Sequence, residues 1–85
     1  MISLRRSFDR LVAGMNIVEV MRVIPKFYYG KVQISILGNS QDLPLRYRFR
    51  FSNGSLLSAV FYYETLTLVF DGEMNLTEFD YVPEG

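Results

Sequence analysis

Arg46, Arg48 and Arg50 recur at every second position within Leu45–Phe51, alternating with Leu45, Tyr47, Phe49 and Phe51. On an extended chain, alternate residues point to opposite faces. The period of two therefore predicts a strand with one cationic face and one apolar face. Successive arginines on such a strand stand about 6.6–6.8 Å apart, close to the phosphate spacing of a nucleic-acid strand. Guanidinium groups also pair bidentately with carboxylates. The row could thus meet an acidic protein surface or a polyanion. Stacking of bases would need aromatic rings on the cationic face. Tyr47 and Phe49 have the wrong parity for that, which leaves Tyr28, Tyr29, Tyr62 and Tyr63 as the tyrosines that could join the arginines at a macromolecule-binding surface.

Catalytic chemistry finds little support. The chain has no His and no Cys, so the usual general base and the common zinc, copper and haem ligands are missing. Ser35, Ser55 and Ser58 lack a nucleophile-elbow context, and the six glycines are scattered rather than gathered into a phosphate loop. Asp71, Glu73, Glu78 and Asp80 are the one carboxylate cluster, read as a solvated turn followed by an edge strand. Asp71-Gly72-Glu73-Met74-Asn75 offers alternating oxygens but not the length, central Gly and closing Glu of a calcium loop. No enzyme, catalytic residue, cofactor, metal or small-molecule substrate is expected.

Charge is distributed unevenly. Nine Lys and Arg balance nine Asp and Glu. Residues 1–50 hold all nine basic groups and three acidic ones, for a net +6, while residues 51–85 hold six acidic groups and no basic ones, for a net −6. Nucleic-acid-binding domains are usually net basic, so overall neutrality favours a protein partner. Three arrangements follow from the split. Glu64 or Glu73 could face the arginines across the sheet. The split could survive as a dipolar surface that meets another copy or an acidic protein. The basic face could bind single-stranded nucleic acid.

The elements that must position these groups are legible from periodicity. Ser3 can N-cap a helix, and Leu4, Phe8, Leu11, Val12 and Met15 form a stripe that predicts a helix over about Leu4–Ala13, stopped by Gly14. β-Branched Ile17, Val18, Val20, Val23 and Ile24 favour a strand ending at Pro25, with a short helix as the other reading. Lys31–Leu37 alternates as a half-buried strand. Asn53-Gly54 suits a type I′ turn that would return the chain along Leu56–Tyr63. Thr65–Phe70 and Met74–Val82 complete the set, the last at an edge. Phe27-Tyr28-Tyr29 recurs as Phe61-Tyr62-Tyr63, and a duplicated strand-turn unit is one account of it.

The run Phe70-Asp71-Gly72-Glu73-Met74-Asn75-Leu76 resembles the first signature of Sm-type RNA-binding proteins, which carry an N-terminal helix before a small five-stranded barrel. The family's Gly and Leu ahead of the aromatic-Asp pair are not at their places, and nine residues follow Leu76, fewer than the second signature needs. The resemblance therefore transfers no RNA-binding residue.

The expected fold is α+β: one domain over residues 1–85, with an N-terminal helix packed on a mainly antiparallel, curled sheet of five or six strands. No run reaches the roughly 20 apolar residues of a membrane span, and the expected compartment is cytoplasmic. The expected role is that of a small interaction or inhibitor-type protein that binds another macromolecule and self-associates. Single-stranded nucleic-acid binding is the alternative.

Overall fold

The computed structural model describes residues 4–38, 45–53 and 63–84. Four strands, β1 (Gln33–Leu37), β2 (Arg46–Asn53), β3 (Tyr63–Phe70) and β4 (Leu76–Glu84), form one sheet in the order β1-β2-β3-β4. Every neighbouring pair is antiparallel. Two short α-helices, α1 (Leu4–Asp9) and α2 (Ile17–Val23), and a 3₁₀ turn over Lys26–Lys31 precede the sheet. The architecture is α+β, with four strands among the described residues where five or six were expected over the whole chain.

Two of the expected strands account for the difference. Ile17–Val23 is helical, with Ile24 as its extended C-cap. Asn16 caps α2, its Oδ1 accepting from the Val18 N–H at 3.1 Å, and Ile17, Val20, Met21 and Ile24 share one helical face, with Val20 and Ile24 buried. β-Branched residues lose a few tenths of a kcal/mol each in a helix; burial of that stripe outweighs the loss. Pro25 then ends the helix, as the sequence requires. The return strand over Leu56–Tyr63 lies outside the described residues except for Tyr63. Asn53 itself sits in the ladder opposite Glu64 rather than at the corner of a tight hairpin.

Helix α1 ends earlier than its apolar stripe implies. The amides of Arg10 and Leu11 bond back to Ser7 and Phe8, tightening the last turn, and Gly14 takes φ +94°, the left-handed region that suits glycine. The segment after it is stitched to the start of β4: Gly14 N–H donates to Leu76 O and Leu76 N–H to Met15 O, each at 2.7 Å. The Ser7 hydroxyl donates to Val23 O at 2.8 Å and so joins the two helices.

The core lies on one face of the sheet. Leu4, Leu11, Val20, Ile24 and Tyr28 pack against Phe49, Phe51, Leu66, Leu68, Phe70 and Leu76. α1 lies over β3 and β4, and the 3₁₀ turn over β2. β1 lies beyond this cover: Ile34 and Ile36, in phase with the core residues, are 58% and 62% exposed.

The Sm-like run forms the β3–β4 corner, and its chemistry is that of an Asx turn. Asp71 Oδ1 accepts from Glu73 N–H at 2.9 Å and Asn75 N–H at 3.0 Å. Met74 takes φ +63°. Among the described residues the sheet is a four-stranded meander with β1 and β4 at its edges, rather than the five-stranded barrel of that family. The two aromatic triplets also differ in context, since Phe27–Tyr29 lies in the 3₁₀ turn and Tyr63 begins a strand; Phe61 and Tyr62 lie outside the described residues.

Candidate interaction face

The face opposite the core is built by the same alternation that builds the core. When Phe49 and Phe51 point inward, Arg46, Arg48 and Arg50 must point outward, and all three are exposed. Their ladder neighbours are uncharged. Arg50 lies between Gln33 and Thr67, and Arg48 between Ser35 and Val69. Across β3 the rows continue to β4: Thr67 pairs with Asp80, and Val69 with Glu78. The open face therefore carries a basic row on β2, a neutral row of Thr65, Thr67 and Val69 on β3, and an acidic pair on β4.

Arg48 is level with Glu78, and Arg50 with Asp80, but two strand spacings separate them, about 9.6 Å between backbones. Among the described residues no ion pair joins the arginine row to a carboxylate. Two adjoining shallow concavities reflect the same division. One, of about 200 Å³, is lined by Arg48, Arg50, Thr65, Thr67 and Val82. The other, of about 210 Å³, is lined by Thr67, Val69, Glu78, Phe79 and Asp80. Val69 is 7% exposed between its charged neighbours, whereas Val82 is 40% exposed at the edge.

Neither carboxylate expected to answer the arginines does so. Glu73 sits in the β3–β4 turn. Glu64 is on the core face, 0% exposed. Its Oε1 accepts the Leu4 N–H at 2.7 Å and the Tyr28 hydroxyl at 3.4 Å, and its Oε2 accepts the Tyr81 hydroxyl at 2.6 Å. A buried carboxylate is tolerable only when its lone pairs are met in this way. Glu64 thus clamps the start of α1 and the 3₁₀ turn to the sheet, which is a structural task.

The tyrosines do not gather around the arginines. Tyr28 is wholly buried, because its ring fills the core and its hydroxyl serves Glu64; the expectation that it joins a binding surface is corrected. Tyr29 is 38% exposed, but it belongs to the helical layer, where its hydroxyl donates to Met21 O. Tyr63 opens β3 opposite Glu84, and Tyr62 lies outside the described residues. The sequence reading overlooked Glu78 and Asp80 as members of the arginine face. The signal was present: Glu78, Asp80 and Val82 alternate with Phe79 and Tyr81 just as the arginines alternate with Tyr47 and Phe49.

Among the described residues, no group of three or more Asp, Glu, His or Cys is placed to hold a metal ion, and no helix is long and apolar enough to cross a membrane. The fold and face define a class: a small α+β protein, helices on one side of a four-stranded antiparallel meander and a charge-divided open face on the other. Comparison with protein-family models, curated proteins and solved structures finds no match for this chain.

Proposed function

We propose that this is a small non-catalytic interaction or inhibitor-type protein that docks on another protein through the open sheet face, with Arg46, Arg48 and Arg50 as the contact row, and that it self-associates. The observation that carries the reading is the exposure of these arginines beside ladder neighbours that hold no charge. A guanidinium so placed keeps its donors free for a partner's carboxylates, and a row of them sets orientation and association rate.

The even spacing of the arginines also supports a second reading, binding of single-stranded nucleic acid. Two features of the same face weigh against it. Glu78 and Asp80 stand on the next strand but one and repel phosphates, and Phe49 is turned into the core, away from any base.

The test is affinity capture from native extract, comparing the intact chain with Arg48→Glu and with Arg22→Glu, a reversal on the helical side. The expected result is capture lost with Arg48→Glu, kept with Arg22→Glu and resistant to nuclease. Equal capture by both variants overturns the proposal. Capture abolished by nuclease, and steeply weakened by salt, selects the nucleic-acid reading instead.

A further inference from the structure

The charge division of the open face has a geometric consequence. Two sheets that pack face to face lie about 10 Å apart, a gap that an Arg on one and a Glu or Asp on the other can bridge end to end. A second copy can be laid on this face about two in-plane two-fold axes. An axis across the strands sets β2 over β2 and β4 over β4, like charge on like. An axis along β3 exchanges the two sides of the sheet, so that β2 of each copy lies over β4 of the other.

The second arrangement is matched in register as well as in sign. Position along the strands is unchanged by an axis parallel to them. Arg48 is level with Glu78 through Val69, and Arg50 with Asp80 through Thr67. The axis along β3 therefore sets Arg48 over Glu78 of the second copy and Arg50 over its Asp80, and symmetry repeats both contacts. The uncharged Thr67 and Val69 meet their own counterparts near the axis, where like charges would clash. Val82 lies beside the basic concavity and offers apolar contact at the rim. The usual crossing of about 30° between aligned sheets leaves these central rows in contact.

Resting on the reading of this face as a protein-binding surface, we infer that its partner is a second copy of this chain, in a two-fold dimer whose axis runs along β3. The arrangement is self-complementary, as a closed two-fold interface requires. It is also modest in size. Four strands of about seven residues give a face of roughly 19 × 24 Å, so each copy buries less than the ~800 Å² of a standard interface. The dimer is consequently weak, concentration-dependent and salt-sensitive.

Charge reversal on each row separately provides the test. In Arg48→Glu/Arg50→Glu both rows are acidic, and in Glu78→Arg/Asp80→Arg both are basic; each variant repels its own kind. Mixed in equal amounts, every facing pair between the two is attractive. Sedimentation equilibrium at low salt should show the unaltered chain dimerising, each variant at least about tenfold weaker, and the mixture restored to a dimer. Circular dichroism checks that the variants fold, and the neutralised pair Arg48→Ser and Glu78→Gln supplies milder counterparts that should each weaken the dimer.

A monomer at high concentration overturns the inference, as does a dimer indifferent to both reversals or a mixture that stays monomeric. Species larger than a dimer indicate head-to-tail stacking and overturn the two-fold axis. If the chain is monomeric while its capture of protein still depends on Arg48, this inference and the self-association fail, and docking on a different protein through the arginine row stands. If both effects are missing, both fail.

Discussion

Replacing Glu64 by Leu tests how the helices are held to the sheet. The carboxylate is wholly buried and accepts from the Leu4 amide, the Tyr28 hydroxyl and the Tyr81 hydroxyl. Leu fits the volume but accepts nothing, so it leaves the donors behind. A buried donor left unmet costs about 1–3 kcal/mol. Tyr28 is enclosed and loses its hydrogen bond to Glu64, while half-buried Tyr81 can turn to water. The expected loss is therefore about 3–5 kcal/mol rather than the sum of three full penalties. For 85 residues at ~0.05–0.15 kcal/mol each the total stability is about 4–13 kcal/mol, so much of it disappears. Tyr81→Phe, which removes the short charge-assisted bond, should cost about 1.5–3 kcal/mol, and Tyr28→Phe, whose bond is longer, about 1 kcal/mol. Urea unfolding followed by circular dichroism reads all three. In the Glu64→Leu background Tyr81→Phe should cost little, because its acceptor has already gone. The clamp is refuted if Glu64→Leu unfolds within about 0.5 kcal/mol of the unaltered chain, or if Tyr81→Phe costs the same with and without Glu64.

Three smaller perturbations probe the local devices that set the fold. Asn16→Ala removes the cap of α2 and should lower stability by about 1 kcal/mol in the same assay. Gly14→Ala meets open space, with nothing within 4 Å of the added Cβ, so the φ of +94° alone should make it cost about 1 kcal/mol, read as a lower urea midpoint. Asp71→Ala frees the Glu73 and Asn75 amides at the β3–β4 corner; the expected result is a loss of about 1–2 kcal/mol and faster amide exchange at those residues.

The sheet was legible where one face is apolar and the other polar. In Arg46–Phe51 and Gln33–Leu37 strict alternation set the strands and the parity of their side chains, but Lys31 belongs to the 3₁₀ turn, and Ile34 and Ile36, expected on a buried side, are 58% and 62% exposed. Over Ile17–Ile24 the favoured strand gave way to the short helix that was the other reading, because β-branched residues suit a strand locally while the fold needed their i, i+3, i+4 spacing against the core. Capping by Asn16 was the available clue. Glu64 shares the parity of Leu66, Leu68 and Phe70, so alternation alone would have placed it in the core. What argued otherwise was the general cost of burying a carboxylate, and that cost is offset by donors from Leu4, Tyr28 and Tyr81, up to sixty positions away in sequence. The arginine half of the face came directly from periodicity. The acidic half required strand order and register, because Glu78 and Asp80 join the arginines only through β3.

The central claim is that association occurs on the open sheet face. Amide chemical-shift mapping, with the chain taken from dilute to concentrated solution or titrated with a captured protein, tests it most directly. The account predicts shifts concentrated at Arg48, Arg50, Thr67, Val69, Glu78, Asp80 and Val82, with α1 and α2 silent. Shifts confined instead to exposed Val12, Val18, Phe27, Ile34 and Ile36, on the helical side and the uncovered end of β1, would contradict it.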